Sequence, residues 1–319
     1  MNKISVIVTT YRAVSYLRCC IDSLIRSLSP EKFEVVIYGD GGGAQSEQEI
    51  EICRTKLRVA GIDCTTRYNA DNLGICPALN RAVAMASGDW LLFINDDMVF
   101  PKTWVARVEP LLVPGRVLSL VAIEPSLPGR RPAGCFYSAN LGLHPTTFDF
   151  ARLDRFQEAL SPTPLTVGVN YPFCVEKKLF VQVGAVDEQF PGPYHDPDLF
   201  LRFSLIGAAL VRSPWCALYH FSGVSLRFSE VAVGAALMTT GRQSLEWIRK
   251  ENQGRRIFIE KWGVKPKARF GDLPRVQVKA PWNQRSPTGW ESFMRQWNLY
   301  WEGVRGRLRE FRYRSSLRS

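Results

Sequence analysis

Ile4 to Thr9 is a short, β-branched and almost wholly apolar run. That is the pattern of a strand buried on both faces, as in a parallel sheet. Leu17, Cys20, Ile21, Leu24, Ile25 and Leu28 then recur at helical spacing between Tyr16 and Leu28, and Pro30 closes the helix. A second buried strand, Phe33 to Tyr38, runs into Gly39-Asp40-Gly41-Gly42-Gly43, a loop with almost no Cβ atoms. Gln45 to Ala60 reads as a charged amphipathic helix and Cys64 to Tyr68 as a third strand. Pro77 to Ser87 reads as a helix, with proline tolerated in its first turn and Gly88 at its end. Trp90 to Ile94 is the fourth strand and ends at Asn95-Asp96-Asp97.

This alternation predicts an α/β fold: a Rossmann-like, mainly parallel sheet flanked by helices. In such sheets ligands bind outside the carboxyl ends of the strands. Thr9-Thr10-Tyr11, Gly39-Asp40-Gly41 and Asn95-Asp96-Asp97 all occupy strand ends, so they are expected to converge on one edge.

The second half is less periodic. Pro110 to Pro164 is rich in proline and glycine and reads as loops and short elements, with a strand at Leu118 to Ile123. A helix is expected from Pro197 to Ile206, and short strands at Leu210-Val211 and Ala217 to His220. After Ser229 two helical stretches are expected, Val231 to Ile248 and Trp290 to Phe311. A basic linker, roughly 265 to 285, joins them. The implied organisation is 1–228 as the main domain, with halves 1–100 and 101–228, followed by a helical, basic extension over 229–319.

Composition adds four constraints. At 319 residues, 46% hydrophobic and 22% charged, the chain has a globular composition. No apolar run approaches the length of a membrane span, and Met1-Asn2-Lys3 does not open a signal peptide. The eight cysteines include no CxxC pair. They read as buried thiols in a reducing cytoplasm. The net charge of +11 lies largely after Arg242 and invites an anionic partner.

Several residues carry candidate chemistry. Two adjacent carboxylates, Asp96 and Asp97, are costly to crowd together without a cation, and oxygen ligands suit Mn²⁺ or Mg²⁺. A polar turn after an edge strand explains the same residues. Asp40 between glycines suits the N3–H of a uracil or thymine ring, or a plain turn. His220, after Ala217-Leu218-Tyr219, suits a metal ligand or a buried histidine. Asp196 before Pro197 reads as a helix N-cap and equally as a general base.

In order and spacing, these segments resemble family 2 of the glycosyltransferases, which have the GT-A fold. The matching stretches begin with Ile4 to Tyr11, Val36 to Gly41, Asn72-Leu73-Gly74 and Ala78-Leu79-Asn80. They continue with Gly88 to Asp97, Gly184 to Glu188, His195 to Arg202, Gly207 and His220. The resemblance covers roughly 3 to 223. It implies a nucleotide-sugar donor, UDP- or dTDP-linked, held by Thr9, Thr10, Tyr11, Asp40, Asn72, Asn80 and Asp96. It implies Mn²⁺ or Mg²⁺ on Asp97 and His220, and Asp196 as the base of an inverting transfer to a glycan or lipid-linked acceptor. The chain departs from the pattern at Gly39, Asn95 and His195, where the family carries acidic residues. These departures keep open a catalytically inactive nucleotide- or glycan-binding relative.

The tail lies outside the resemblance. Trp290, Phe293, Trp297, Trp301, Val304, Leu308 and Phe311 form one stripe on a helix whose end is rich in arginine. Such a stripe packs on protein, on a second subunit, or on the cytoplasmic face of an anionic membrane. A membrane-associated scaffold is the function that rests on the tail alone. No nucleic-acid recognition motif accompanies the arginines, and no nucleic-acid partner is expected.

Overall fold

A computed structural model of the chain describes residues 3–125, 137–221, 244–266 and 289–315. The first half alternates as its pattern predicts: β1 (Ile4–Thr10), α1 (Val14–Ile25), β2 (Phe33–Asp40), α2 (Ala44–Val59), β3 (Asp63–Asn69), α3 (Ile75–Met85) and β4 (Trp90–Asn95). The second half contributes β5 (Met98–Val99), α4 (Trp104–Val108), β6 (Arg116–Glu124), β7 (Tyr137–Ser138) and α5 (Phe150–Glu158). Then come β8 (Thr166–Val167), β9 (Phe173–Glu176), α6 (Lys177–Gln182), α7 (His195–Leu205) and β10 (Ala209–His220). Two helices follow, α8 (Leu245–Trp262) and α9 (Gly289–Ser315).

One sheet holds all the strands, in the order β3-β2-β1-β4-β9-β6-β10-β5, with β7 on β6 and β8 on β10. The first four strands pair parallel with one another. Every residue of β1 and β2 is buried. Val6 and Val8 enter one core layer and Ile7 the other; Val35 and Ile37 likewise oppose Val36 and Tyr38. Helices covering both faces explain why these strands read as continuous apolar runs rather than alternating ones.

The second half is mixed. Strand β9 is antiparallel to both β4 and β6. Since β10 is parallel to β6, the strands β1, β2, β4, β6 and β10 all run the same way.

Several elements differ from expectation. The two short strands at 210 and 217 are one strand, β10, whose register shifts between Ser213 and Ala217. That irregularity around Pro214 breaks the apolar run in the sequence. Helix α5 was hidden in the Pro/Gly-rich stretch; Asp149 caps it by accepting from the Arg152 amide at 2.9 Å. Gly88 is not a helix cap, because α3 ends at Met85. A Cβ there would sit 2.6 Å from the Lys3 carbonyl and the Ser5 hydroxyl, so Gly88 serves the close approach to β1. The helix expected over 231–248 and the linker expected over 265–285 fall largely outside the described residues. What is described begins with Ser244 as N-cap of α8 and ends that helix at left-handed Gly263.

Helix α8 packs into the core through Phe258, Ile259 and Trp262. Helix α9 runs antiparallel along it: Arg255 meets Glu302, Arg309 meets Glu251, and Arg249 meets Glu310. Among the described residues no helix is long and apolar enough to cross a membrane. The seven described cysteines are free and buried; Cys135 lies outside the described residues.

Candidate active site

Because β1, β2, β4, β6 and β10 share a direction, their carboxyl ends share an edge. Thr10, Asp40, Asn95 to Asp97, Glu124 and His220 therefore gather on that edge.

The metal-side pair is built by the backbone. Directly after Asp97 the chain enters β5, which pairs antiparallel with β10, placing Met98 opposite His220. The Phe221 amide donates to the Asp97 carbonyl at 3.1 Å. This pairing brings His220 Nε2 to 3.2 Å from Asp97 Oδ1. The other ring nitrogen, Nδ1, lies 3.3 Å from Glu124 Oε1. The Asn95 side-chain nitrogen is 3.3 Å from His220 Nε2. Burial alone would lower the His220 pKa. Asp97 and Glu124 outweigh it and raise the value to about 9.

Asp96 has a different setting. It is buried beside Asp97, and both desolvation and that like charge push its carboxyl up to about 8. The Thr10 hydroxyl and the Tyr11 amide donate to it and pull the other way. Tyr11 in turn lies under the Arg12 guanidinium, 4.9 Å from the ring centroid. Thr9 is buried one residue earlier on β1, opposite Asn95 on β4.

Asp40 is buried at the end of β2. Its two carboxylate oxygens accept the Leu73 and Gly74 amides at 2.9 and 2.8 Å. Asn72 supports the same turn by accepting from the Gly74 amide at 3.0 Å. Asp40 thus brackets the loop leading into α3, and each oxygen keeps a further lone pair for a ligand donor. Burial pushes its carboxyl above the ordinary value, with the two amides, Arg81 and Lys250 opposing. Asn80 is committed elsewhere: its amide donates to the Val186 carbonyl and Glu188, and its oxygen accepts the Val186 amide at 3.0 Å.

Asp196 stands in the first turn of α7, but it is not the N-cap. The helix begins at His195, with Tyr194 in a left-handed conformation, φ 74°, as the capping residue. His195 Nδ1 lies 3.1 Å from Asp196 Oδ1 and also meets the Gly192 carbonyl. Burial raises the pKa of Tyr171, the charges of Asp196 and Asp96 add to it, and the hydroxyl donates to the Ile94 carbonyl at 3.3 Å.

The position of α7 depends on a buried polar cluster. Asp198, fully buried, accepts from Arg202 Nε at 2.9 Å and from the Trp262 indole at 2.8 Å. Lys261 bridges Asp198 at 2.9 Å and Asp187 at 2.6 Å. Arg202 also donates to the Val183 and Ala185 carbonyls. Four of these contributors were not anticipated as parts of the site: Glu124, Tyr171, Lys261 and Trp262. Glu124 had a signal, as the first charged residue after a strand-like run. The other three had none.

The donor set suits a hard or borderline divalent cation: a carboxylate from Asp97 and an imidazole from His220. The crowded charges of Asp96 and Asp97, visible in the raised Asp96 value, are what a cation would relieve. Among the described residues no three His, Cys, Asp or Glu side chains are arranged to hold a metal by themselves. The remaining ligands would come from a bound diphosphate and water, the usual habit of Mg²⁺ sites.

A pH dependence follows for the metal-free protein. Both Asp96 and His220 bind a proton more tightly folded than unfolded. The stability they contribute is complete below their ordinary values, 3.8 and 6.5, and is lost as pH rises through about 8 and about 9. For His220 that is on the order of 3 kcal/mol. The melting temperature is expected to fall between about pH 6 and pH 9, and Asp96→Asn to flatten the fall. Calorimetric scans across that range check it; a slope unchanged by the substitution contradicts it.

Comparison with known proteins bears on this edge. Residues 5–126 match the family model "Glycosyl transferase family 2". A PGL/p-HBAD biosynthesis glycosyltransferase of Mycobacterium bovis is 31% identical over 105 residues, 33% of this chain and 39% of that protein. The glycosyltransferase GlyA of Streptococcus pneumoniae is 31% identical over 113 residues, 35% of this chain and 15% of its own. The chain thus spans well under half the length of these curated relatives. Among solved structures, the mannosyltransferase PcManGT of Pyrobaculum calidifontis, in complex with GDP-Man and Mn²⁺, has a TM-score of 0.54 at 14% identity. That similarity covers 95% of this chain and 73% of the other. GalNAc-T7, with UDP, GalNAc and Mn²⁺, has a TM-score of 0.52 at 14% identity, over 82% of this chain and 49% of its own. At such identity these two establish the fold alone, a GT-A fold with a C-terminal helical extension. Residues 5–126, which build the first half of the sheet and end just past Glu124, are the part of the chain that is similar to glycosyl transferase family 2.

Proposed function

We propose that this protein is an inverting, divalent-metal-dependent glycosyltransferase. It moves a sugar from a UDP- or dTDP-sugar to a glycan or lipid-linked acceptor. The observation that carries this reading is the shared edge. Asp40, the Asp96–Asp97 pair and His220 with Glu124 stand there, and Asp196 is near enough to act electrostatically on Tyr171, which is hydrogen-bonded to the end of β4.

In this reading residues 1–100 form the nucleotide-binding half and residues 101–228 the acceptor half, with 229–319 as the extension. Asp40 accepts the N3–H of the base through its free lone pairs, while Thr9, Thr10, Tyr11 and the Asn72 turn line the nucleoside. Asp96 lies toward the ribose or sugar. Asp97 and, once deprotonated, His220 would hold Mn²⁺ or Mg²⁺, and the cation would supply charge stabilisation to the departing diphosphate. Asp196 accepts the proton of the acceptor hydroxyl as that oxygen attacks the anomeric carbon. The new C–O bond forms as the bond to the diphosphate breaks, so configuration inverts and the nucleoside diphosphate leaves with the electron pair. Asn80 acts through position, by holding Val186 and the turn before α7.

Asp196→Asn tests the reading. With Mn²⁺ and a panel of UDP- and dTDP-sugars, the wild-type chain is expected to release nucleotide on transfer or slow hydrolysis. The variant should do so about a thousandfold more slowly. Donor binding, read as a shift in melting temperature, should persist. Equal release by both proteins would remove Asp196 from the chemistry. Nucleotide binding without any release by the wild type would leave a binding protein.

A further inference from the structure

Helix α9 turns the wrong face outward for a helix that merely packs on its own protein. Its charged residues Glu302, Arg309 and Glu310 meet α8, and Gly306 is buried against Asn252. Its aromatic residues point away. Trp290 is 71% and Phe311 68% exposed, and Phe293, Trp297, Trp301 and Leu308 are exposed between them. Neighbouring rings contact one another along the helix, Trp290 to Phe293 at 5.5 Å and Trp297 to Trp301 at 5.8 Å. No described residue covers this face.

Helical geometry places the arginines in relation to it. At about 100° per residue, the exposed aromatics centre opposite the face that Glu302 and Gly306 bury. Arg305 and Arg312 fall on one flank of the aromatic stripe, and Arg307 and Arg314 on the other. From Trp290 to Ser319 the chain carries seven arginines against three glutamates, and Glu302 and Glu310 are turned to α8. The outward face is therefore an apolar strip edged on both sides by guanidinium groups.

We infer that this face of α9 docks on an anionic lipid bilayer. The indole and phenyl rings would enter the headgroup boundary, while the flanking arginines extend to lipid phosphates. Charge selects this occupant over a second copy. Two such faces brought together would set one arginine-edged strip against another, and Glu302, the acidic neighbour of Arg305 at 3.4 Å, is already held by Arg255 of α8. A lipid surface supplies the opposite charge along the whole length. The helix lies on the bilayer rather than crossing it, in keeping with the lack of a spanning helix among the described residues.

Co-sedimentation of the full chain with vesicles tests this. The protein is expected to sediment with phosphatidylcholine vesicles containing phosphatidylglycerol, and to stay in solution with phosphatidylcholine alone. Trp297→Glu with Trp301→Glu should reduce the bound fraction roughly tenfold, and Arg307→Glu with Arg312→Glu by a similar factor. Both pairs face away from α8, so an unchanged melting temperature checks that the fold is intact. Equal sedimentation of the wild type and the Trp variant would overturn the inference. So would a dimer in light scattering that the Trp substitutions dissociate while vesicles bind nothing; the occupant would then be a second copy.

Discussion

Asp97→Ala is expected to lower sugar transfer about a thousandfold, a loss near 4 kcal/mol of transition-state stabilisation. It should also abolish the rise in melting temperature that Mn²⁺ produces in the wild type. In the proposed reaction the two effects belong together, because one carboxylate would both hold the cation and, through it, meet the diphosphate. Unfolding is not the expected cause. Removing Asp97 takes a counter-charge from His220, which costs stability, and a like charge from Asp96, which restores some. His220 keeps Glu124 at 3.3 Å. Kinetics and Mn²⁺ titration of the same preparation measure both quantities. A variant that keeps the Mn²⁺-dependent shift places the cation elsewhere.

The second large effect concerns stability. Arg202→Met is expected to destabilise the fold by about 3–5 kcal/mol. The substitution leaves fully buried Asp198 with Lys261 and the Trp262 indole only, and strips the Val183 and Ala185 carbonyls of their donor. The melting temperature should drop by about 10 °C. Adding Asp198→Asn should recover part of the loss, since the stranded charge rather than the missing pair dominates the cost. A change of less than about 2 °C would mean that the cluster relaxes around the gap.

How much of this was legible depends on the range of the interaction. The strands β1, β2 and β4 announce themselves locally, because both faces are covered and the apolar run is continuous. Their polar ends follow, so Thr10, Asp40, Asp96 and Asp97 could be marked before any coordinates. Glu124 obeys the same rule at the end of β6. Asp196 illustrates a local rule overridden: Asp-Pro signals an N-cap, yet left-handed Tyr194 starts the helix two residues sooner, with Arg255 donating to its hydroxyl. Lys261 and Trp262 reach Asp198 across more than sixty positions, and no local pattern reports such a contact. The tail shows both sides. Its stripe was plain in the sequence. That it faces outward is decided by the pairs Arg255–Glu302 and Arg309–Glu251, which are likewise remote in the chain.

The position of β5 has a geometric consequence. In the sheet it lies four strands beyond β4, on the far side of β10. In a flat sheet that separation is about 19 Å. Along the chain only Asp96 and Asp97 separate Asn95 from Met98, and three Cα steps reach about 11 Å at most. The strands from β4 to β5 must therefore curl into an arc that nearly closes on itself, and the two aspartates are the link that closes it. Asp97 and His220 meet because a short tether pulls the ends of the arc together. One residue inserted between Asn95 and Met98 would slacken that tether and part them, even with every side chain of the site left in place.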